Sequence, residues 1–184
     1  MSALTMRRFH TTATMPYAAE AMFALAGDIE RYPLFVPLCW NAAVWGCKTD
    51  DGDRKRLMAS LEVGYPRFGL CETFVNSVTL DHRKRHIHAF SDRGPVKHLA
   101  TDWFFRDLTA GWCEIDFTIV YKMRSVALQL VVAMMFEKAF DKIITAFRVR
   151  ADAVYGARAL GNAASCGLEH DPIRRSEVGP RLCL

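Results

Sequence analysis

The densest run of titratable side chains is His82-Arg83-Lys84-Arg85-His86-Ile87-His88. If this run is a strand, His86 and His88 share one face. Two neutral imidazoles with no third ligand in reach make a poor metal site, so no metal is expected. Arg83, Lys84 and Arg85 offer cations to anionic lipid headgroups, at roughly 1 kcal/mol for each near-surface charge. They serve equally for the phosphates of RNA, although the chain carries no motif of stacked aromatics for reading RNA. A solvated strand edge is the plainer explanation, because lysine and arginine discourage edge pairing. The carboxylates Glu62, Glu72 and Asp116 are scattered over strands and are expected to face solvent. With no Gly-rich phosphate loop, nucleophile elbow or acid/base pair, nothing supports an enzyme, and no catalytic cofactor is expected. The six cysteines (39, 47, 71, 113, 166 and 183) include no CxxC pair. They read as reduced thiols, most of them buried as small hydrophobes.

The elements that position these residues follow from periodicity. Residues 4–14 alternate as a first strand, a short helix follows Met15-Pro16-Tyr17, and a second helical turn begins at Asp28 and ends at the prolines 33 and 37. Strands are then expected over 41–48, 54–64, 67–80 and 83–90, followed by one opened by the Ser91–Pro95 turn and a last one over 112–122. Leu57, Ala59, Leu61 and Val63 share one face. So do Leu99, Thr101, Trp103 and Phe105, and so do Cys113, Ile115, Phe117, Ile119 and Tyr121. Alternation this clean marks an antiparallel sheet with one covered face.

The cover is a helix over 125–155. Its second half is amphipathic, with Phe136, Phe140, Ile143, Ile144 and Phe147 on one side. Projected at about 100° per residue, that side continues back through Val132, Ala133, Gln129 and Val126. Ala127, Val131, Met134 and Met135 then point outwards, as apolar surface for a membrane or a partner. The apolar run is shorter than the roughly 20 residues that span a bilayer. Gln129 is the polar residue on the inward stripe. A buried amide there needs a partner, which a ligand, a backbone group or water would supply.

With 184 residues, one domain is the default. It is expected over 1–156, with 157–184 a disordered tail. Twelve Phe, four Trp and eight Met suit a fold that encloses a cavity, and equally a packed core. The net charge of +4 permits anionic partners without demanding them. No secretory signal is recognised at the start, and the first strand leaves little room for a mitochondrial presequence.

The segment Glu30-Arg31-Tyr32-Pro33-Leu34-Phe35-Val36-Pro37-Leu38-Cys39 resembles the YPxFxPxC signature of the coenzyme Q-binding START-domain family, whose bacterial members are also described as a ribosome-association toxin. Gly94-Pro95-Val96-Lys97-His98-Leu99, Trp103 with Phe105, Phe136-Glu137-Lys138-Ala139-Phe140, Ala146-Phe147 and Arg150-Ala151 follow in the same order. The resemblance covers about 5–156 and departs at Leu38, where the family often has Trp. It implies an α+β helix-grip fold, a curved antiparallel sheet of six to seven strands on a long C-terminal helix. It also implies non-enzymatic binding of ubiquinone or a related polyprenyl lipid, with a quinone chaperone's role in respiration and ubiquinone biosynthesis.

In that setting Tyr32, Phe35 and Leu38 are expected as a lid. Leu61, Phe74, Trp103, Phe105, Phe117, Val132 and Phe136 join Phe35 as walls, and Gln129 faces the headgroup. The expected partners are the quinone, a membrane surface, respiratory or quinone-biosynthesis proteins, and a second copy as a homodimer. The expected place is the bacterial cytoplasm at the inner membrane, or else the matrix side of a mitochondrial inner membrane. The second reading is a toxin-like translation inhibitor that binds the large ribosomal subunit and blocks subunit association. The third is a small-molecule cyclase.

Overall fold

The computed structural model describes residues 5–50, 52–65 and 69–156, apart from the side chains of 65, 70, 110 and 134–139. The segment expected as a tail, 157–184, lies outside the described residues. Seven strands form one antiparallel sheet: β1 (Arg7–Met15), β2 (Cys39–Asp50), β3 (Arg54–Tyr65), β4 (Leu70–Asp81), β5 (His86–Ser91), β6 (Val96–Asp107) and β7 (Cys113–Met123). Their order across the sheet is β1-β7-β6-β5-β4-β3-β2. Between β1 and β2 lie α1 (Ala19–Gly27) and a 3-10 turn over Ile29–Leu34, and α2 (Val126–Tyr155) closes the fold. Register irregularities within β2 and at the start of β6 supply the local bends a strongly curved sheet requires.

Each strand has an inner face that follows from its alternation. On β7, Cys113, Ile115, Phe117, Ile119, Tyr121 and Met123 are all buried while their neighbours are half-buried. Two packed clusters result. One gathers Met15, Tyr17, Phe23, Phe105, Ile115, Phe147 and Ala151 around α1 and the end of α2. The other gathers Val96, Phe117, Leu128 and Phe140 under the start of α2.

The helix ends are held from outside the helices as well as within them. Ser125 caps α2 by accepting from the Leu128 N–H at 3.4 Å. Ala18 gives α1 no such side chain, and Asp107, at the end of β6, accepts from the Ala19 N–H at 2.8 Å instead. That bond and the Arg85 guanidinium hold the Asp107 carboxyl below its usual range, against the opposing effect of burial. Asp81 is lowered likewise by the Lys84 N–H and by Arg54. A carboxyl with a depressed folded pKa stabilises the fold above its unfolded pKa of about 4. That stability disappears as pH falls through the folded value. The thermal midpoint is therefore expected to hold from pH 7 to 5 and to drop steeply below pH 4. Replacing Asp81 and Asp107 together by Asn flattens that drop, as a calorimetric pH series would show.

Three expectations change. The basic run is not a strand edge: β5 is an interior strand, the edges are β1 and β2, and residues 82–85 form the tight β4–β5 turn. Arg85 takes a left-handed φ of 47° there. The inward stripe of α2 runs through Leu128, Gln129, Val132, Phe140, Phe147 and Ala151. Ala133 is exposed, as is Val126, the first helical residue, at 53%. Among the described cysteines, Cys39 and Cys113 are buried but Cys47 and Cys71 are exposed. Burial raises the Cys113 thiol to about 11, with Asp107 adding to the effect, so it is an inert packing group.

Candidate functional site

Between the two packed clusters the concave face of the sheet does not meet α2. A cavity of about 280 Å3 remains, lined from β3 to β7 and roofed by Leu128 and Val132. Its cause is side-chain size. Ala59 on β3 and Ala89 on β5 line the middle of the sheet, whereas Leu61, Phe74, Trp103 and Phe117 stand around them. Trp103 leans on Phe117 at 4.3 Å between ring centres, and Phe117 stacks on Phe140 at 5.1 Å, so this wall is braced against α2.

Of the expected ligand-contacting residues, the structure brings Tyr32, Leu61, Phe74, Trp103, Phe117 and Val132 to the cavity. Phe105 shares the inner face with Trp103 but sits one strand repeat nearer α1. It is 2% exposed against the Phe23 ring, and does not line the cavity. Phe35 packs edge-on against Tyr32 and Phe147 instead. Leu38 takes a positive φ of 68°, and its carbonyl accepts from the Gly64 N–H at 2.9 Å. The Tyr32–Cys39 segment is therefore a connector seated on α2. Within this segment Tyr32 is the residue that lines the cavity, with its hydroxyl donating to the Ala26 carbonyl at 2.5 Å. Burial, with Cys39 and Asp28 adding their charge, pushes that hydroxyl's pKa up. Phe136, Met134 and Met135 lie on α2 with their side chains outside the described residues.

Gln129 does not line the cavity. Its Oε1 accepts from the Met123 N–H at 3.2 Å and its Nε2 donates to the Thr5 carbonyl at 3.0 Å. This amide ties α2 to the end of β7 and to the chain start. Gln129→Leu leaves both backbone partners unpaired and is expected to cost about 1–3 kcal/mol of stability. It should leave ligand affinity unchanged, as parallel denaturation and binding titrations would show.

Sequence reasoning missed the polar lining. Glu72, expected in solvent, lies on the inner face of β4 with Phe74 and Asn76, and all three line the cavity. Strict alternation back from Val78 would have found both polar residues. Asp116, in contrast, is on the convex face, where it pairs with His10 and Arg106. The third donor that the histidines lacked in sequence is also there. Asp102 Oδ1, on the neighbouring strand, lies 2.8 Å from His86 Nε2 and 2.9 Å from His88 Nδ1. Burial raises the Asp102 pKa, but the bonds from His88 and His86 outweigh it, and the carboxyl is held low. This group lies on the opposite side of the sheet from the cavity.

The expected surface residues do not form one patch. Arg83, Lys84 and Arg85 occupy the β4–β5 turn at the α1 end of the sheet, where His82 meets Phe23. Arg85 is paired with Asp107 at 2.5 Å, which leaves Arg83 and Lys84 as the exposed cations of this turn. Val131 is half-buried near the start of α2, at the other end, beside exposed Val126, Ala127 and Leu130. Among the described residues no helix is long and apolar enough to cross a membrane.

A curved antiparallel sheet gripping a C-terminal helix over an apolar cavity defines a helix-grip, START-like protein. The chain belongs to the polyketide cyclase / dehydrase and lipid transport family, whose model matches residues 15–148. It is 28% identical over 155 residues to the ribosome association toxin RatA of Escherichia coli, covering 84% of this chain and 93% of that protein. It is 24% identical over 163 residues to the mitochondrial coenzyme Q-binding protein COQ10 homolog B of Xenopus laevis, covering 87% and 64%. Among solved structures, the 18 kDa protein CC1736 from Caulobacter crescentus is 30% identical with a TM-score of 0.70, covering 82% of this chain and 99% of that one. The Zhui aromatase/cyclase from a Streptomyces species shares the fold with a TM-score of 0.69 at 19% identity, covering 85% and 99%.

Proposed function

We propose that this protein binds a polyprenyl quinone of the ubiquinone type, without turning it over, and presents it at a membrane to the enzymes of respiration or quinone synthesis. The observation that carries this reading is the cavity itself, walled mainly by aromatic and aliphatic side chains with a few polar ones, Glu72, Asn76 and Thr101 on the strands together with Tyr32 and Tyr121, among them. Its volume of about 280 Å3 lies just below the ~300–1,000 Å3 typical of small-molecule sites. It holds the ring and the nearest part of the tail. The remaining tail leaves along the start of α2, where Val126 and Leu130 are 53% and 56% exposed. Those residues also supply the contact with a bilayer, at the cytoplasmic face of a bacterial membrane or the matrix face of a mitochondrial one. The similarity to a protein named for coenzyme Q binding supports this reading.

A second reading, inhibition of translation through the large ribosomal subunit, is favoured by the 28% identity to a ribosome association toxin over nearly its whole length. Transfer of a fluorescent or radiolabelled quinone between donor and acceptor liposomes separates the two. Catalysed transfer that fails when Val126 and Leu130 are both changed to Glu supports the carrier. Absence of transfer, together with salt-sensitive co-sedimentation with large ribosomal subunits, supports the second reading and contradicts the first.

A further inference from the structure

The convex face of the sheet carries a cluster that the cavity does not use. Among the described residues, His86, His88 and Asp102 form a group of three potential metal ligands whose donor atoms all lie within 4.8 Å of one another. The β5–β6 register creates it. His86 and His88 share one face of β5, and Asp102 on β6 stands directly opposite His88. Its Oδ1 is the point on which both rings converge, 2.8 Å from His86 Nε2 and 2.9 Å from His88 Nδ1. Both strands are interior to the sheet, so the backbone behind the three side chains is held on each side, as a precise site requires. Phe104 stacks flat on the His86 ring, with 4.1 Å between ring centres and 5° between planes, which sets that imidazole's orientation.

The surroundings suit a cation. Thr79 lies in register beside His88 and Thr118 beside Asp102, and both are neutral. Arg106, two residues past Phe104, is already held by Glu114 and Asp116. The side chains of His86, His88 and Asp102 are 21%, 41% and 36% exposed, so an ion reaches them from solvent. Two imidazole nitrogens and one carboxylate oxygen are a donor set for zinc and neighbouring divalent transition ions, whereas magnesium and calcium take oxygen ligands. A tetrahedral zinc with bonds of about 2.0–2.2 Å keeps its ligand atoms about 3.3–3.5 Å apart, so the two hydrogen-bonded pairs open by only about half an ångström to admit it. The Asp102 carboxylate can only accept, and each ring nitrogen that donates to it gives up that proton to become a ligand. In a neutral imidazole the other ring nitrogen takes a proton up, by exchange with solvent. We infer that His86, His88 and Asp102 form a binding site for one zinc-type divalent ion, with water completing its coordination. The site lies across the sheet from the cavity and does not depend on what the cavity holds. The bound ion clamps β5 to β6.

The test is calorimetric titration of the full chain, stripped of metal by a chelator and kept reduced, with zinc chloride and with magnesium chloride. One zinc equivalent is expected to depend on this cluster, and magnesium is expected not to bind. His88→Ala removes a ligand from a half-exposed position and should weaken that equivalent at least about 100-fold, beyond the 10- to 100-fold cost of losing a supporting partner. Asp102→Asn keeps an oxygen to accept from both rings, so it preserves the fold should His88→Ala not, and it is expected to weaken zinc by at least about 10-fold. Cobalt(II) in place of zinc reports the donor atoms, and a visible spectrum without a thiolate-to-cobalt band is expected for the equivalent that the variants lose. No zinc binding, equal binding of magnesium, unchanged zinc affinity in either folded variant, or a thiolate band that places the ion on cysteines overturns the inference.

Discussion

Phe147→Ala is expected to lower the free energy of unfolding by about 3–5 kcal/mol, the range for truncating a fully buried aromatic. Phe147 is 3% exposed and meets three rings, Phe35 at 5.1 Å, Tyr32 at 5.8 Å and Trp103 at 6.1 Å. It is the point at which α2, the Tyr32–Cys39 connector and the sheet converge. The space left cannot collapse easily, because Phe35 and Tyr32 are held by a connector with two prolines and by the Tyr32 hydroxyl bond to Ala26. Urea unfolding should show a lower midpoint with an unchanged slope, the signature of lost stability rather than of a changed denatured state. A slope that falls with the midpoint would instead indicate loss of two-state behaviour.

Ala89→Phe is expected to weaken ligand binding by at least about 100-fold while leaving the protein folded. Ala89 lies on the interior strand β5 and lines the cavity across from Val78. A phenyl ring there occupies much of a 280 Å3 space. Excluding about 110 Å2 of ligand carbon, at about 25 cal/mol per Å2, already corresponds to a factor of roughly 100. The new ring enters an existing void rather than a filled core, so its destabilisation should fall below the 1–3 kcal/mol typical of overpacking. Titration of the variant with a short-tailed quinone, beside a thermal melt, checks both halves. Undiminished affinity in a folded Ala89→Phe protein would place the ligand elsewhere.

The parts of this fold that were legible in the sequence are those that depend on local period. β7 alternates over its whole length, and the inner set Ile115, Phe117 and Ile119 follows from period two alone. The same logic put Leu61 and Trp103 on the covered face. It gave the face of Phe105 correctly but not its position along the sheet, because alternation carries no information about which end of a strand lies over a void and which under α1. Asn76 and Glu72 were overlooked for a chemical reason. A polar residue in a strand is ordinarily a solvent residue, and these two break that rule at the cavity. The start of α2 was the least legible element. It is apolar on most sides, so hydrophobicity does not mark an inward stripe, and the burial of Leu128 with exposure of Val126 depends on where the helix meets β7. Gln129 shows the same limit. Its partners, Met123 and Thr5, are backbone groups, which no side-chain pattern reveals. Asp102 became a neighbour of His86 and His88 through the β5–β6 register, a relation between strands that neither strand encodes alone.

Mass spectrometry of organic extracts is the most direct test of the carrier reading, applied to protein purified from its own host without detergent. One isoprenoid quinone per folded protein, lost in the Ala89→Phe variant, is the predicted result. A folded protein with an empty extract, which also fails to take up added quinone in either redox state, would contradict it.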